Sequence, residues 1–129
     1  MSVARLGMKV LIVEDHNDCR EALVEVLETT GFTVVEAMTG EEGLEKTVLE
    51  KPDLIIMDLT LPGMSGIEAT TRLKLEPLTS HIPVIAFTAW NEAKYKRWAE
   101  KAGVARFLTK PICLTRLLEV ISEFPRINH

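Results

Sequence analysis

Cysteine is scarce in this chain of 129 residues, which contains only two. Cys19 and Cys113 lie far apart in the sequence and match no zinc or redox spacing. This excludes a disulfide framework and a cysteine-based metal centre. We expect both residues to be reduced thiols with a structural role in a cytoplasmic protein.

Long apolar runs and an excess of positive charge are also missing. No stretch approaches the roughly 20 apolar residues that cross a bilayer, and the apolar run at 8–13 is too short for a signal peptide. Lys and Arg number 15 against 19 Asp and Glu, for a formal net charge of -4, whereas sequence-independent nucleic-acid binding needs a basic face. We therefore expect a soluble protein that binds neither membranes nor nucleic acids directly.

Short apolar runs alternate with amphipathic stretches along the chain. The runs are rich in Val, Ile and Leu without polar alternation, as in strands buried on both faces, and they predict strands at 9–13, 33–37, 54–57, 83–88 and 105–109. The amphipathic stretches predict helices at about 17–30, 41–50, 65–76, 91–102 and 114–123. The first helix can end at Gly31 in the left-handed conformation, and its predicted apolar stripe contains Ala22, Leu23, Val26 and Leu27.

The alternation of strands and helices predicts the fold class. Successive strand–helix units pair in parallel through right-handed crossovers, so that helices cover both faces of an open sheet. A chain of 129 residues is long enough to bury a core as one domain. We predict a single doubly wound α/β domain over residues 1–129, with five strands and its core at about 8–124.

Four of the five predicted strands end in a polar or ionisable side chain. In open parallel sheets, ligands bind beyond the carboxyl ends of the strands, and those ends carry Glu14, Asp15, Asp58, Thr88 and Lys110. The second strand ends without such a residue, which indicates an edge position. A single acid after a strand is usually a helix cap or a solvated loop residue, so the predicted site depends on the convergence of all five groups.

Crowded carboxylates at one edge of a sheet indicate a cation. Two unit charges about 4 Å apart repel by on the order of 4 kcal/mol at an effective dielectric of about 20, and a fold relieves this by raising pKa values or binding a cation. Carboxylates without His or Cys favour Mg²⁺, which keeps waters and joins phosphates. An Asp can attack phosphorus as a nucleophile, with Lys110 as a point charge and Thr88 as a hydroxyl donor for phosphate oxygens.

The motifs at the strand ends resemble those of bacterial response-regulator receiver domains, and the resemblance covers essentially the whole chain. The matching segments are VLIVED at 10–15, PDLIIMDLTLPGMSG at 52–66, IPVIAFTA at 82–89 and FLTKP at 107–111. In this order and at these spacings they are highly specific. The resemblance implies a flavodoxin-like sheet with strand order 2-1-3-4-5.

The resemblance also implies what the site residues do. Asp58 would accept a phosphoryl group from a sensor histidine kinase, a phosphotransfer protein or a small phosphodonor. Asp15, Asp58 and the backbone carbonyl of Thr60 would hold Mg²⁺, and Glu14 would reach the ion through water. Such a domain catalyses only its own phosphorylation and dephosphorylation. The added phosphoryl group carries close to two negative charges, which bias a distant surface.

A switch and a partner surface follow from the same resemblance. The hydroxyl of Thr88 would move towards the phosphoryl group, and the ring of Phe107 would turn inward behind it. The fourth helix, fifth strand and fifth helix would bind an output protein or a second copy. On this surface Tyr95 and Trp98 are predicted to form an anchor beside Phe107, although the rings could instead cover the edge of the core. The Lys110–Pro111 bond is expected to be cis.

The chain departs from the commonest receiver pattern at several site positions. Glu14 stands where many receivers carry Asp, so its longer side chain can alter the water-mediated contact with the ion. Phe107 replaces a frequent Tyr, which removes a hydroxyl from the switch. Thr60 and Trp90 flank the path of a hydrolytic water, and we expect the bulky ring of Trp90 to slow dephosphorylation.

Two other kinds of α/β protein are alternatives. A haloacid-dehalogenase-type phosphatase would also use Asp58 as nucleophile, but it normally carries a second Asp where this chain has Thr60, and the chain leaves no room for a cap domain. A flavin-binding module would need a phosphate cradle, whereas the loop after the first strand is acidic. His16 and His81 lie at element boundaries, and we expect them to be exposed or capping residues rather than metal ligands.

Overall fold

The computed structural model describes residues 7–124, so the predicted domain ends at 1–6 and 125–129 lie outside the described residues. The strands are β1 (Lys9–Val13), β2 (Thr33–Ala37), β3 (Leu54–Asp58), β4 (Val84–Thr88) and β5 (Arg106–Thr109). They alternate with helices α1 (Asn17–Thr30), α2 (Gly40–Glu50), α3 (Gly66–Leu75), α4 (Ala93–Ala102) and α5 (Leu114–Ile121). The predicted α/β alternation is confirmed.

The strands form one parallel sheet in the order β2-β1-β3-β4-β5, as predicted, with β2 at an edge. Val13 lies opposite Met57 in the β1–β3 pair, so Glu14, which follows β1, lies next to Asp58, the last residue of β3. Asp58 in turn lies opposite Phe87 in the β3–β4 pair. The sheet order therefore brings the ends of β1, β3 and β4 to one place.

Two apolar layers enclose the sheet. On one face, helices α1 and α5 contribute Leu23, Leu27, Leu117, Val120 and Ile121. On the other face, helices α2, α3 and α4 contribute Leu44, Ala69, Leu73 and Ala99. Every residue of β3 and β4 is buried, which explains the lack of polar alternation in their sequences. Packing on both faces thus holds the strands from which the site is built.

Local sequence signals set several helix ends. Gly31 has φ 112° and ends α1 in the left-handed conformation, as predicted. Helix α3 ends before Glu76, whose backbone is extended because the following Pro77 disfavours the helical conformation there. The side chains of Thr39 and Ser65 accept main-chain hydrogen bonds at the starts of α2 and α3. Within residues 7–124, no helix is long and apolar enough to cross a membrane.

Some details of the predicted elements are wrong. Strand β3 continues through Asp58 instead of ending at Met57, and α4 begins at Ala93 instead of at 91. The ends of α2, α3, α5, β4 and β5 differ by one or two residues, because terminal hydrogen bonds define such boundaries poorly. Ala22 is exposed instead of lying in the apolar stripe of α1. Arg20 is buried there instead, one helical turn before the core residues of the helix.

Candidate functional site

Four of the predicted site residues lie at the ends of β1, β3, β4 and β5. Glu14, Asp58 and Thr88 have no exposed surface. The Nζ atom of Lys110 lies 2.6 Å from Oε1 of Glu14 and 3.4 Å from Oδ2 of Asp58. The structure thus brings together two carboxylates and an amine from three different strand ends, and Thr88 ends the strand next to that of Asp58.

Asp58 is held in place by the turn that follows β3. Its Oδ1 accepts hydrogen bonds from the main-chain N–H of Thr60 at 3.1 Å and from the Thr60 hydroxyl at 3.0 Å. Gly66, the first residue of α3, packs so closely that an added side-chain carbon would overlap the carbonyl oxygen of Asp58. These contacts leave Oδ2 as the oxygen that faces Lys110.

The charges in this cluster shift one another's protonation. Burial raises the pKa of Asp58, and the hydrogen bond and charge of Glu14 raise it further. Burial also acts to raise the pKa of Glu14, but its hydrogen bonds with Asp58 and Lys110 outweigh that effect and lower the pKa. Burial acts to lower the pKa of Lys110, and the two carboxylates raise it overall. Asp58 is therefore the carboxylate that most needs a nearby positive charge to ionise.

Asp15 adds an oxygen with no partner to this cluster. Its Oδ1 atom is buried and has no hydrogen bond, although the side chain is 29% exposed as a whole. Ligand atoms of Glu14, Asp15, His16 and Asp58 all lie within 4.8 Å of one another. A buried oxygen without a partner is unfavourable, and carboxylates are the ligands that Mg²⁺ prefers. The residues present therefore fit a hard divalent cation.

Thr88 and Lys110 are connected through their backbones. The main-chain N–H of Lys110 donates to the carbonyl oxygen of Thr88 at 2.8 Å. The Lys110–Pro111 bond is cis, which confirms the prediction. The hydroxyl oxygen of Thr88 accepts a hydrogen bond from the main-chain N–H of Trp90 at 3.1 Å. The hydroxyl is thereby linked to the loop that leads into α4.

Comparisons with known proteins agree on one family. The model of the response regulator receiver domain matches residues 10–122. The protein PilH of Pseudomonas aeruginosa is 36% identical over 114 residues, which cover 88% of this chain and 94% of that protein. The polar-differentiation response regulator DivK of Brucella anthropi is 34% identical over 115 residues, covering 89% and 94%. The solved structure of the chemotaxis protein CheY4 of Vibrio cholerae gives a TM-score of 0.86 at 26% identity, covering 92% and 98%.

The chain belongs to the response regulator receiver domain family. Receiver domains are signalling domains of two-component systems, so the chain is not an enzyme in the ordinary sense. The flavodoxin-like fold is confirmed by the sheet order and by the solved neighbour. Neither the phosphatase hypothesis nor the flavin-binding hypothesis gains support from these comparisons.

Arg20 is a buried residue beside the receiver site that the strand-end pattern does not predict. It is 7% exposed. Its guanidinium donates to the carbonyl oxygen of Glu14 at 3.0 Å, to Oε1 of Glu36 at 3.1 Å and to Oδ1 of Asn17 at 2.6 Å. Arg20 thus ties the end of β1 to β2 and to the start of α1. The signal that could have found it is its place one turn before Leu23 on the buried face of the helix.

The aromatic residues predicted for a partner surface occupy two neighbouring places. Phe107 is half-buried and lines a groove of about 610 Å³ over β5, together with Lys96 of α4 and Arg116 of α5. Trp98 is 50% exposed, so its ring does not serve only to cover the core. Tyr95 packs edge-on against Trp98, with ring centroids 5.4 Å apart. The two rings are thus neighbours on α4, and they lie outside the residues that line the groove of Phe107. Their predicted role as an anchor stays a prediction.

The histidines and cysteines of the described chain lie as follows. His16 and His81 are exposed, as predicted, and His16 precedes α1 without a side-chain capping bond. Its ring nevertheless lies beside the acidic cluster, which the sequence pattern does not indicate. Cys19 is half-buried and Cys113 is exposed, and both are free thiols.

Proposed function

We propose that this receiver domain is a phosphorylation-controlled switch, in which Asp58 accepts a phosphoryl group from a sensor histidine kinase or a phosphotransfer protein. The observation that carries the proposal is the burial of Asp58 at the end of β3, beside a second carboxylate, Glu14, and an amine, that of Lys110, which contacts both. A buried carboxylate beside a like charge is poorly satisfied on its own. A cation bound beside the two carboxylates would offset the repulsion between them.

The transfer uses an oxygen of Asp58 as the nucleophile. An electron pair on Oδ2 forms an O–P bond while the P–N bond of the donor phosphohistidine breaks. The departing imidazole nitrogen keeps the electron pair of that bond and takes a proton. Because burial raises the pKa of Asp58, the reaction needs a positive charge close to this carboxylate to keep it ionised.

A bound Mg²⁺ would supply that charge and would neutralise phosphoryl oxygens. Asp15 and Asp58 would be direct carboxylate ligands, and the backbone carbonyl of Thr60 would be a third. Glu14, which already accepts a hydrogen bond from Lys110, would reach the ion through water. The buried Oδ1 of Asp15, which has no hydrogen bond, supports this assignment.

Lys110 and Thr88 would contact the phosphoryl oxygens directly, Lys110 as a point charge and Thr88 as a hydroxyl donor. Asp58 has no exposed surface, and Lys110 stands against its Oδ2. A donor can therefore reach this oxygen only after neighbouring groups have moved, and we infer that the amine of Lys110 is one of them. The Lys110 side chain is 22% exposed, so it has an outward path for that movement.

The output would pass from Thr88 to the surface of α4, β5 and α5. A Thr88 hydroxyl that turns towards the phosphoryl group changes its contact with the N–H of Trp90. The half-buried ring of Phe107 can move with it and reshape the groove that it lines. We assign this surface, with the exposed ring of Trp98 and the adjoining Tyr95, to an output protein or to a second copy of the chain. The half-exposed tryptophan supports that assignment, since such rings are frequent interface anchors.

Phosphorylation by a small donor tests the proposed chemistry. Acetyl phosphate should add one acid-stable, base-labile phosphoryl group per chain, and only in the presence of Mg²⁺. Asp58→Asn should abolish the labelling, because it removes the nucleophilic oxygen. Asp53→Asn is the matched control, since Asp53 is a buried acid at the other end of β3, and it should be labelled normally. Full labelling of the Asp58 variant in intact-mass measurements would contradict the proposal.

Sedimentation of the phosphorylated protein tests the partner surface. Trp98→Ala should leave phosphorylation of Asp58 intact but weaken association, by about tenfold or more if Trp98 is an anchor. Leu49→Ala is the control, because Leu49 is an exposed apolar residue of α2 (68% exposed). A Trp98 variant that only unfolds more easily, with unchanged association, would assign the ring to the edge of the core.

The same proposal puts the protein in the cytoplasm. Two-component receivers meet their kinases there, and the two free thiols of the described chain suit a reducing compartment.

A further inference from the structure

We propose that His16 gives the cation site an imidazole ligand, so that this receiver domain binds Zn²⁺ in addition to Mg²⁺. The inference rests on the proposed function, because it starts from a cation site built on Asp15 and Asp58. It concerns a residue that the proposed magnesium chemistry does not use.

The distances around His16 suit a shared ion. Its Nδ1 atom lies 3.6 Å from Oδ1 of Asp15 and 3.7 Å from Oε2 of Glu14. Two ligands at about 2.0–2.1 Å from one tetrahedral ion lie about 3.3–3.4 Å apart. A small rotation of the ring therefore brings Nδ1 and Oδ1 of Asp15 to the separation of two ligands on one ion.

The Asp15 oxygen closest to the ring is also the one that makes no hydrogen bond. Oδ1 of Asp15 is buried and has no hydrogen bond, so Nδ1 of His16 stands beside an oxygen that is unsatisfied in the described structure. Asp58 contributes a third ligand atom within the same 4.8 Å group. An ion bound here would have one nitrogen ligand and two oxygen ligands from the protein, and a water molecule could be the fourth ligand.

The backbone directs the ring of His16 towards the site. His16 is the residue before α1, and its main-chain N–H donates to Oε2 of Glu14 at 3.2 Å. Its side chain makes no capping hydrogen bond at the start of the helix, so the ring is not needed to cap α1. The side chain is 73% exposed, which leaves it free to rotate without disturbing the core.

The kind of ligand atoms at the site determines which ions bind more tightly when His16 is present. Mg²⁺ prefers an octahedron of oxygens and keeps much of its water, so a nitrogen at this position adds little to its binding. Zn²⁺ takes imidazole and carboxylate ligands together in tetrahedral sites. A site of Asp15, His16 and Asp58 should thus favour Zn²⁺ much more than the same site with oxygen ligands alone.

Nuclear magnetic resonance of the histidine rings tests the proposal directly. The experiment uses the Cys113→Ser protein, because the exposed thiol of Cys113 could bind zinc elsewhere. Zn²⁺ should shift the ¹⁵N resonance of His16 Nδ1 and saturate at one equivalent, whereas Mg²⁺ should leave this resonance nearly unchanged. His81 precedes β4, so it lies at the amino-terminal ends of the strands, away from the proposed site at their carboxyl ends. It is the matched control, and its ring resonances should not shift.

A competition titration with His16→Gln adds a second readout. The variant should bind Zn²⁺ at least about tenfold more weakly while its Mg²⁺ affinity changes by less than about twofold. An unmoved His16 resonance, or equal Zn²⁺ affinity in the two proteins, would overturn the inference and leave the proposed function intact. Loss of Mg²⁺-dependent phosphorylation in the wild-type protein would instead overturn the proposed function, whatever His16 binds.

Discussion

Two buried aspartates lie at opposite ends of strand β3, and their hydrogen bonds and neighbouring charges differ. Asp53 precedes the strand and is 4% exposed, and Asp58 ends it and is 0% exposed. Oδ2 of Asp53 accepts a hydrogen bond from the main-chain N–H of Lys9 at 2.8 Å. Asp58 instead faces the carboxylate of Glu14, and burial together with that neighbour raises its pKa.

The comparison separates a structural acid from the proposed phosphoacceptor. A buried carboxylate that accepts a main-chain hydrogen bond ties two parts of the fold together and requires nothing further. A buried carboxylate beside another carboxylate is unstable without positive charge, so it depends on Lys110 and on any cation that binds. Burial by itself therefore does not distinguish the two aspartates, whereas the charged groups closest to each of them do.

The largest expected difference between the two aspartates is in Mg²⁺ affinity. Asp58→Asn and Asp15→Asn each remove a proposed direct ligand and should weaken binding by at least about a hundredfold, since even loss of an outer-shell group weakens metal binding by about 10–100-fold. Asp53→Asn should change the affinity by less than about twofold, because Asp53 lies at the far end of the strand. Isothermal titration calorimetry measures all three.

Glu14→Gln sharpens that test of the ligand roles. Glu14 would reach the ion only through water, so its loss should weaken Mg²⁺ binding far less than Asp15→Asn does. Equal affinities in these two variants would show that Glu14 and Asp15 have been assigned the wrong roles.

The pKa of the Cys19 thiol is sensitive to the charge of the neighbouring carboxylates. Burial, and then the hydrogen bond and charge of Glu14, raise the pKa of Cys19 to about 11 from an ordinary value of 9.0. Because only the thiolate reacts, alkylation of Cys19 should be slow at pH 8 and rise about tenfold per pH unit up to about pH 11. Mass spectrometry of iodoacetamide-treated protein should find the exposed Cys113 modified first.

Glu14→Gln provides the control for the thiol measurement. It replaces the charged acceptor that helps to raise the pKa of Cys19 with a neutral and weaker one, so alkylation of Cys19 should begin at lower pH. An unchanged pH profile would mean that burial alone protects this thiol, and that the field of the acidic cluster does not reach it.

The smallest expected effects are on folding stability, and they have opposite signs for the two aspartates. Asp53→Ala leaves the N–H of Lys9 without its acceptor and should lower the free energy of unfolding by about 1–3 kcal/mol. Asp58→Asn, measured in EDTA, should raise stability at neutral pH, because it removes a charge from a crowded and buried position. Urea denaturation of the two variants measures both effects.

The pH dependence of the stability gain from Asp58→Asn tests whether the charge of Asp58 is its cause. Its pKa is higher in the folded than in the unfolded protein, so its stabilising contribution is complete below about pH 4 and is lost as the pH rises through the folded pKa. The gain from Asp58→Asn should therefore be absent below about pH 4 and grow above it. A gain that is constant with pH would have to come from packing instead of charge.

Periodicity and strand ends were sufficient to predict most of the fold. Apolar runs without polar alternation predicted the buried strands, Gly31 predicted the end of α1, and a strand without a polar end predicted the edge position of β2. The stripe of α1 was predicted wrongly at Ala22 because apolar character was used as the guide, whereas the buried residue there is Arg20. An arginine fits that position only because three oxygen acceptors surround it.

By itself the sequence determined the alternation of strands and helices along the chain, the family, and the set of polar side chains at the carboxyl ends of the strands. Those properties follow from local patterns. In a parallel sheet the carboxyl ends of all strands lie on the same side, so the residue that ends a strand lies there whatever the strand order. Only the tertiary structure decided that Lys110 pairs with Glu14 at 2.6 Å, that Asp53 accepts a hydrogen bond from Lys9, and that His16 stands beside Asp15. Such contacts depend on strand register and on packing between distant segments, and no local pattern in the chain encodes them.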